Sequence, residues 1–210
     1  MGWLDKLARQ CRKPTGLSGR LLGRLMNVEH NSLRSWGLGQ IHIKLDSAVL
    51  DVGCGGGKTI KVIAKSARQG KVCGIDYAKD MVKLANSVNA SFIRKGLVDI
   101  KQSCVSSLPF EDEYFDIVTA FETIFFWPDL LKNIEEIHRV LRDKGIFLIV
   151  NEKYKQNKPL REKDIEWLNI ANIKLYSIDE YESYLKSSGF SKVKVLAIPE
   201  KNWIAVIAEK

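Results

Sequence analysis

The sequence predicts an α/β fold: a doubly wound, seven-stranded and mostly parallel sheet with one antiparallel strand, preceded by a helical extension. Three observations predict it. From residue 48 onward, short apolar runs alternate with helix-compatible stretches, the pattern of strand–helix–strand crossovers. The first apolar run, Ala48 to Val52, breaks into Gly53-Cys54-Gly55-Gly56-Gly57 before a helical stretch begins. The last two apolar runs are joined only by Ile198-Pro199-Glu200-Lys201-Asn202, so they form a hairpin, and one of its strands must run against the others.

Ahead of this core, Trp3, Leu4, Leu7, Ala8 and Cys11 recur at helical spacing beside Lys6, Arg9 and Arg12. Pro14-Thr15-Gly16 interrupts that helix, and a second amphipathic stretch carries Leu21, Leu22, Leu25 and Met26. A short helix over 30–38 follows, with Asn31 or Ser32 as its cap. Residues 1–44 therefore read as a helical lid or extension, and residues 45–210 as the main domain. Strands are expected near 48–52, 71–75, 100–105, 115–121, 145–152, 191–199 and 202–208. Helices are expected near 57–67, 78–95, 129–141, 161–172 and 178–188.

The 210 residues suit one domain with an appendage. No run of eighteen apolar residues predicts a membrane span. The basic N-terminal stretch lacks the long apolar segment of a secretory signal, and Lys6 stands where a myristoylation pattern needs Ser or Thr. Cys11, Cys54, Cys73 and Cys104 show neither zinc spacing nor a disulfide framework, so the expectation is reduced thiols in a cytoplasmic protein and no metal. The net charge of +8 is uneven: residues 1–47 carry eight Lys/Arg against three Asp/Glu. The basic excess belongs to the extension rather than to the core.

The glycine segment carries the chemistry. Glycine lets a backbone approach a ligand without a Cβ in the way. The free N–H groups at the start of the next helix favour an anionic or carboxylate-bearing ligand. The second strand ends in Asp76, placed to accept both hydroxyls of a ribose. A dinucleotide fingerprint fails, because its third glycine would fall on Lys58. A phosphate loop fails too, because its first glycine would fall on Val52. What remains is D-x-G-x-G-x-G at Asp51, Gly53, Gly55 and Gly57.

That segment resembles motif I of the class I S-adenosylmethionine-dependent methyltransferases, which share a Rossmann-like fold. Leu108-Pro109-Phe110-Glu111-Asp112-Glu113-Tyr114-Phe115-Asp116 and Ile137-His138-Arg139-Val140-Leu141-Arg142-Asp143-Lys144-Gly145 are similar to later motifs of the compact single-domain members. These include ubiquinone- and menaquinone-biosynthesis enzymes. The resemblance covers residues 45–155 and implies S-adenosyl-L-methionine as cofactor, with S-adenosyl-L-homocysteine as product. It implies that Asp51, Gly53, Cys54, Gly55 and Gly57 line the methionine part of the cofactor. Asp76 would take the ribose, Tyr77 would lie near the adenine, and Met81 would join the cofactor-binding set. Phe121 and Glu122 would close over the reactive end. The family usually has an Asp four residues before its Leu-Pro-Phe; here that position is Cys104, so the resemblance leaves the backbone of Cys104 and Val105 to meet the adenine edge.

On the acceptor side, Phe125, Phe126 and Trp127 could line a pocket or anchor their loop on the core. With Met26 they form the candidate acceptor-binding set. Glu152, Tyr154 and His30 are the candidate catalytic groups. Methyl transfer from a sulfonium needs alignment and exclusion of water more than it needs a strong base. A small molecule is the expected acceptor. Nucleic acid is not the expected partner, since no catalytic N-P-P-Y-type motif or added RNA-binding module accompanies the basic pI. RNA methylation and non-catalytic cofactor binding stand as alternatives. A weak contact of the basic N-terminus with an anionic membrane surface is compatible with its composition, and no oligomeric state is legible.

Overall fold

The computed structural model describes residues 15–16, 30–156, 159 and 161–210. Helix α1 (Asn31–Leu38) leads into strand β1 (Ala48–Val52) and helix α2 (Lys58–Ser66). Then come β2 (Lys71–Asp76), α3 (Lys79–Arg94), β3 (Val98–Gln102) and β4 (Phe115–Phe121). A 3₁₀ turn (Ile124–Phe126) precedes α4 (Leu130–Val140), β5 (Leu141–Asn151), α5 (Glu162–Ala171) and α6 (Ile178–Ser187). A hairpin of β6 (Lys192–Ile198) and β7 (Trp203–Glu209) follows.

The seven strands form one sheet in the order β3-β2-β1-β4-β5-β7-β6. The first five pair in parallel, and β7 runs antiparallel between β5 and β6. This is the mixed sheet that the sequence predicts. Strand order reverses between β1 and β4, which opens a crevice at their C-terminal ends.

Period-two alternation sorts the strand residues onto two faces. Val49 and Ile117 pack with Ile60 and Ile63 of α2 and Ala85 of α3. Leu50, Val52 and Val118 pack with Ile134 and Ile137 of α4 and Leu185 of α6. Every residue of β1 is buried, as a strand covered by helices on both faces must be. Helix α1 joins the first of these faces near its margin: Leu33 packs with Leu148, Val150 and Ala205. Its Gly37 sits so close to β5 that a Cβ there would lie 2.6 Å from Val150 Cγ2.

Two strands differ from expectation. The third runs over Val98–Gln102 rather than 100–105, because Gly96 (φ +72°) ends the α3 turn early and Val98 is already buried. The chain then leaves the sheet and doubles back, with Ser107 N–H donating to Cys104 O at 3.2 Å. The fifth begins at Leu141, so Asp143-Lys144-Gly145 lies inside the strand. A register shift between Phe115 and Ile117 and a left-handed Lys144 (φ +61°) absorb it. The helices expected over residues 3–11 and 17–26, and Met26 with them, lie outside the described residues. Among the described residues no helix is long and apolar enough to cross a membrane.

Candidate functional site

The loop after β1 is fastened to β2, since the N–H groups of Gly53 and Cys54 both donate to Ile75 O at 2.9 Å. Two of its glycines are required by what lies beside them. Gly53 (φ +71°) faces Thr123, and a Cβ there would collide with Thr123 Oγ1. Gly57 (φ +74°) abuts α3, where a Cβ would stand 2.8 Å from Ala85 Cα. Asn89 of α3 donates to Gly57 O at 2.9 Å and holds the turn from below. Gly57 also begins α2 without a side-chain cap, so the first N–H groups of that helix are not claimed by a capping side chain.

Asp76 links the glycine loop to the start of α3. Its Oδ2 accepts from Gly55 N–H at 2.9 Å and its Oδ1 from Ala78 N–H at 2.8 Å. Burial raises its pKa, against the two backbone donors that favour the charged form. A carboxylate offers about four lone-pair positions. Two are used here, and the rest are available to a pair of hydroxyls.

Asp76 lines a cleft at the C-terminal ends of β1 and β2. Val52, Gly53 and Ile75 form its base. Tyr77 stands on one side, 39% exposed, with Ser103, Cys104 and Val105 beyond it. Thr123, Phe126, Trp127 and Pro128 close the opposite side. An adenosine fits this donor set: a carboxylate for the ribose, an apolar slot for the base, and glycine backbone where the chain must come close. Cys104 is exposed, as a group on a cleft wall should be.

Behind the loop, Asp51 is 2% exposed and accepts a hydrogen bond from Thr119 Oγ1 at 2.7 Å. Loss of solvation lifts its pKa to about 7; the Thr119 bond and the Arg34 charge oppose the rise, and Asp76 adds to it. Arg34 is itself buried. Its Nε donates to Thr59 Oγ1 at 3.1 Å and its Nη1 to Asn31 Oδ1 at 2.7 Å. Burial lowers the Arg34 pKa, and the Asp51 charge resists that. The sequence reading missed Arg34, Thr119 and Thr123. An arginine between Leu33 and Gly37 on the apolar side of a helix was the available signal for the first of these.

At the ends of β4 and β5, three side chains from separate elements converge. His30 precedes α1, Glu122 follows β4 and Glu152 follows β5; one potential ligand atom of each lies within 4.8 Å of the others. His30 Nε2 is 3.7 Å from Glu152 Oε2. Glu122 has a left-handed backbone (φ +55°), and its carboxylate accepts the backbone N–H of Glu152. Loss of solvation pushes the Glu122 pKa up to about 8, with the Glu152 N–H acting against it.

The expected residues thus divide. Gly53, Asp76, Tyr77, Cys104, Val105, Phe126 and Trp127 line the cleft. Asp51 and Cys54 are buried behind it. Gly55 reaches the cleft through its bond to Asp76. Met81 is 2% exposed and packs with Ala78 and Leu84 instead of facing the cleft, because its place on α3 turns it inward. Tyr154 is buried in the main core. Phe121 packs against the cluster around Leu33. Glu122 joins His30 and Glu152 rather than the adenosine cleft. The aromatic turn both anchors and lines: Trp127 stacks on Phe147 (centroids 6.2 Å, 9° between planes), while Phe125 and Phe126 form an edge-on pair at 4.7 Å.

Residues 50–149 match the model of a family described as "Methyltransferase domain". The chain is 28% identical over 171 residues to the uncharacterized methyltransferase YcgJ of Bacillus subtilis, covering 77% of this chain and 65% of that protein. It is 29% identical over 159 residues to demethylmenaquinone methyltransferase of Lactiplantibacillus plantarum, covering 74% of this chain and 67% of that one. The chain thus spans about two thirds of the length of these relatives. Among solved structures, phosphoethanolamine N-methyltransferase 2 of Haemonchus contortus in complex with S-adenosyl-L-methionine shares the fold with a TM-score of 0.77 at 18% identity, over 86% of this chain and 52% of that one. The B. subtilis YcgJ structure gives 0.70 at 20% identity, over 86% and 99%. The matched domain, its glycine loop with Asp76, and the sheet order all support a class I S-adenosylmethionine-dependent methyltransferase with S-adenosyl-L-methionine as its cofactor.

Proposed function

We propose that the methyl acceptor is a small molecule, held beside the aromatic turn that also walls the adenosine cleft. The supporting observation is that Phe126, Trp127 and Pro128 wall both the cofactor cleft and a second pocket of about 430 Å³. That pocket also takes in Phe125, Asn172, Lys174, Tyr176 and Tyr184. It has the size of a metabolite site, framed by aromatic rings, with polar groups making up most of its accessible lining. The menaquinone-biosynthesis relative and the phosphoethanolamine enzyme, both named for small acceptors, favour the same class.

The bound cofactor supplies a methyl group already activated by its sulfonium charge. The chain's own residues bind, orient and screen. Asp76 holds the ribose and thereby sets the cofactor's position along the cleft. Gly53 and Gly55 let the backbone lie against the methionine portion. Tyr77, Cys104 and Val105 flank the adenine. The aromatic turn excludes water from the space between donor and acceptor. Glu122, Glu152 and His30 stand at the ends of β4 and β5, where a carboxylate or imidazole can take a proton from an acceptor hydroxyl or amine.

The test is transfer of a tritiated methyl group from S-adenosyl-L-methionine into fractionated cell extract. Label should enter the low-molecular-mass fraction, and Phe126→Ala should reduce that incorporation at least tenfold. Incorporation into RNA or protein alone would refute the small-molecule assignment.

A further inference from the structure

We infer that His30, Glu122 and Glu152 form a binding site for one divalent first-row metal ion. The three residues come from three different elements, so the cluster is not a run of surface acids. Their candidate ligand atoms, one imidazole nitrogen and two carboxylate oxygens, all lie within 4.8 Å of one another. Ligands around such an ion stand roughly 3–3.5 Å apart, given bonds of about 2.1 Å. The His30–Glu152 separation of 3.7 Å is close to that already, and small side-chain rotations would bring in Glu122.

Two carboxyl groups and an imidazole meet here, and a divalent cation would balance the charge of both carboxylates. One imidazole and two carboxylates suit Mn²⁺ or Zn²⁺ better than a soft ion or a Ca²⁺ needing six or more oxygens. Orienting contacts behind the ligands are in place as well. The backbone N–H of Glu152 fixes the Glu122 carboxylate. Helix α1 begins directly after His30 and is itself anchored by Leu33 and Arg34.

Three protein ligands leave coordination positions open. Those positions suit an acceptor that presents an oxygen, such as a hydroxyl or carboxylate, whose proton a metal ion would loosen. This last step rests on the small-molecule reading above; the metal site itself does not.

The experiment titrates Mn²⁺ into the protein, following the free-ion signal by electron paramagnetic resonance, with Zn²⁺ as competitor. Wild type should bind one Mn²⁺ per chain, displaced by Zn²⁺. Glu152→Gln and His30→Gln should each weaken binding at least tenfold. Calorimetry with S-adenosyl-L-homocysteine on the same preparations reports whether each variant is folded. Glu152 is the safer of the two variants, because its side chain is 42% exposed. Absence of a saturable site in wild type, or an unchanged isotherm in a folded Glu152→Gln protein, would overturn the proposal. Failure of wild type to methylate any small molecule would strike the acceptor assignment and leave the metal titration standing.

Discussion

Replacing Asp76 by alanine separates the two tasks of one carboxylate. In the folded chain it accepts from Gly55 N–H and Ala78 N–H at 2.9 and 2.8 Å. Removing it leaves both donors without a partner in a largely buried place, at about 1–3 kcal/mol each. Part of this is offset, because the carboxylate no longer has to be desolvated, the same effect that raises its pKa. A net stability loss of about 2–4 kcal/mol is expected. The cofactor separately loses a charged acceptor for its ribose hydroxyls, about 1–3 kcal/mol, or roughly 5–150-fold in affinity. Asp76→Asn keeps one acceptor oxygen and should fall between wild type and alanine on both scales. Urea unfolding measures the first effect, and calorimetry with S-adenosyl-L-homocysteine the second. An alanine variant that bound within twofold of wild type would refute the ribose assignment. Unchanged stability would refute the role of Asp76 in pinning the loop.

Two further outcomes are expected. Burial lifts the Asp51 pKa to about 7 in the fold, against an ordinary aspartate value of 3.8. Between these values the folded state keeps a proton that the unfolded chain has released. Its contribution therefore lowers stability as pH rises from about 4 to about 7, by about 1.4 kcal/mol per unit and about 4 kcal/mol in all. Asp51→Asn, which can still accept from Thr119, should flatten that decline; urea melts of the two proteins at pH 5 and pH 7.5 measure it, and parallel slopes would contradict the assignment. Cys104→Asp places a strong acceptor on the cleft wall and should keep or tighten S-adenosyl-L-homocysteine binding by up to about 1–2 kcal/mol. A tenfold loss of affinity in a folded variant would show that Cys104 does not face the adenine.

The strands nearest the cofactor were the most legible. Ala48–Val52 and Phe115–Phe121 have the bounds expected from apolar runs closed by glycine or polar residues. Each is buried on both faces, so its pattern is continuous and unambiguous. The third strand was misplaced by two to three residues because it is an edge. Its Lys101 and Gln102 are exposed, and burial no longer marks where it stops. Within the candidate site, the location of the glycines and Asp76 at the ends of β1 and β2 was readable, because a fixed spacing along the chain expresses it. The pairing of Asp51 with Thr119, and the placement of Arg34 beside them, was not. Those residues are 17 to 85 positions apart, and only the sheet brings them together. Met81 was misread for a related reason, since helical phase and not proximity to Asp76 decides which way its side chain points.

The position of β7 has a consequence for how the chain can assemble. Everything that lines the adenosine cleft is carried by elements up to the aromatic turn, and β1 to β5 can pair in parallel without the hairpin. Until residues 203–209 arrive, however, β5 is an open edge bearing Phe147, Leu148, Ile149 and Val150. β6, made earlier, has no neighbour in the sheet except β7. The nascent protein must therefore wait with a sticky strand exposed while about fifty residues are synthesised. Closure then comes from a late segment sliding between two earlier ones. A chaperone, or the helix Asn31–Leu38 packed beside Val150, is best placed to shield that edge in the interval.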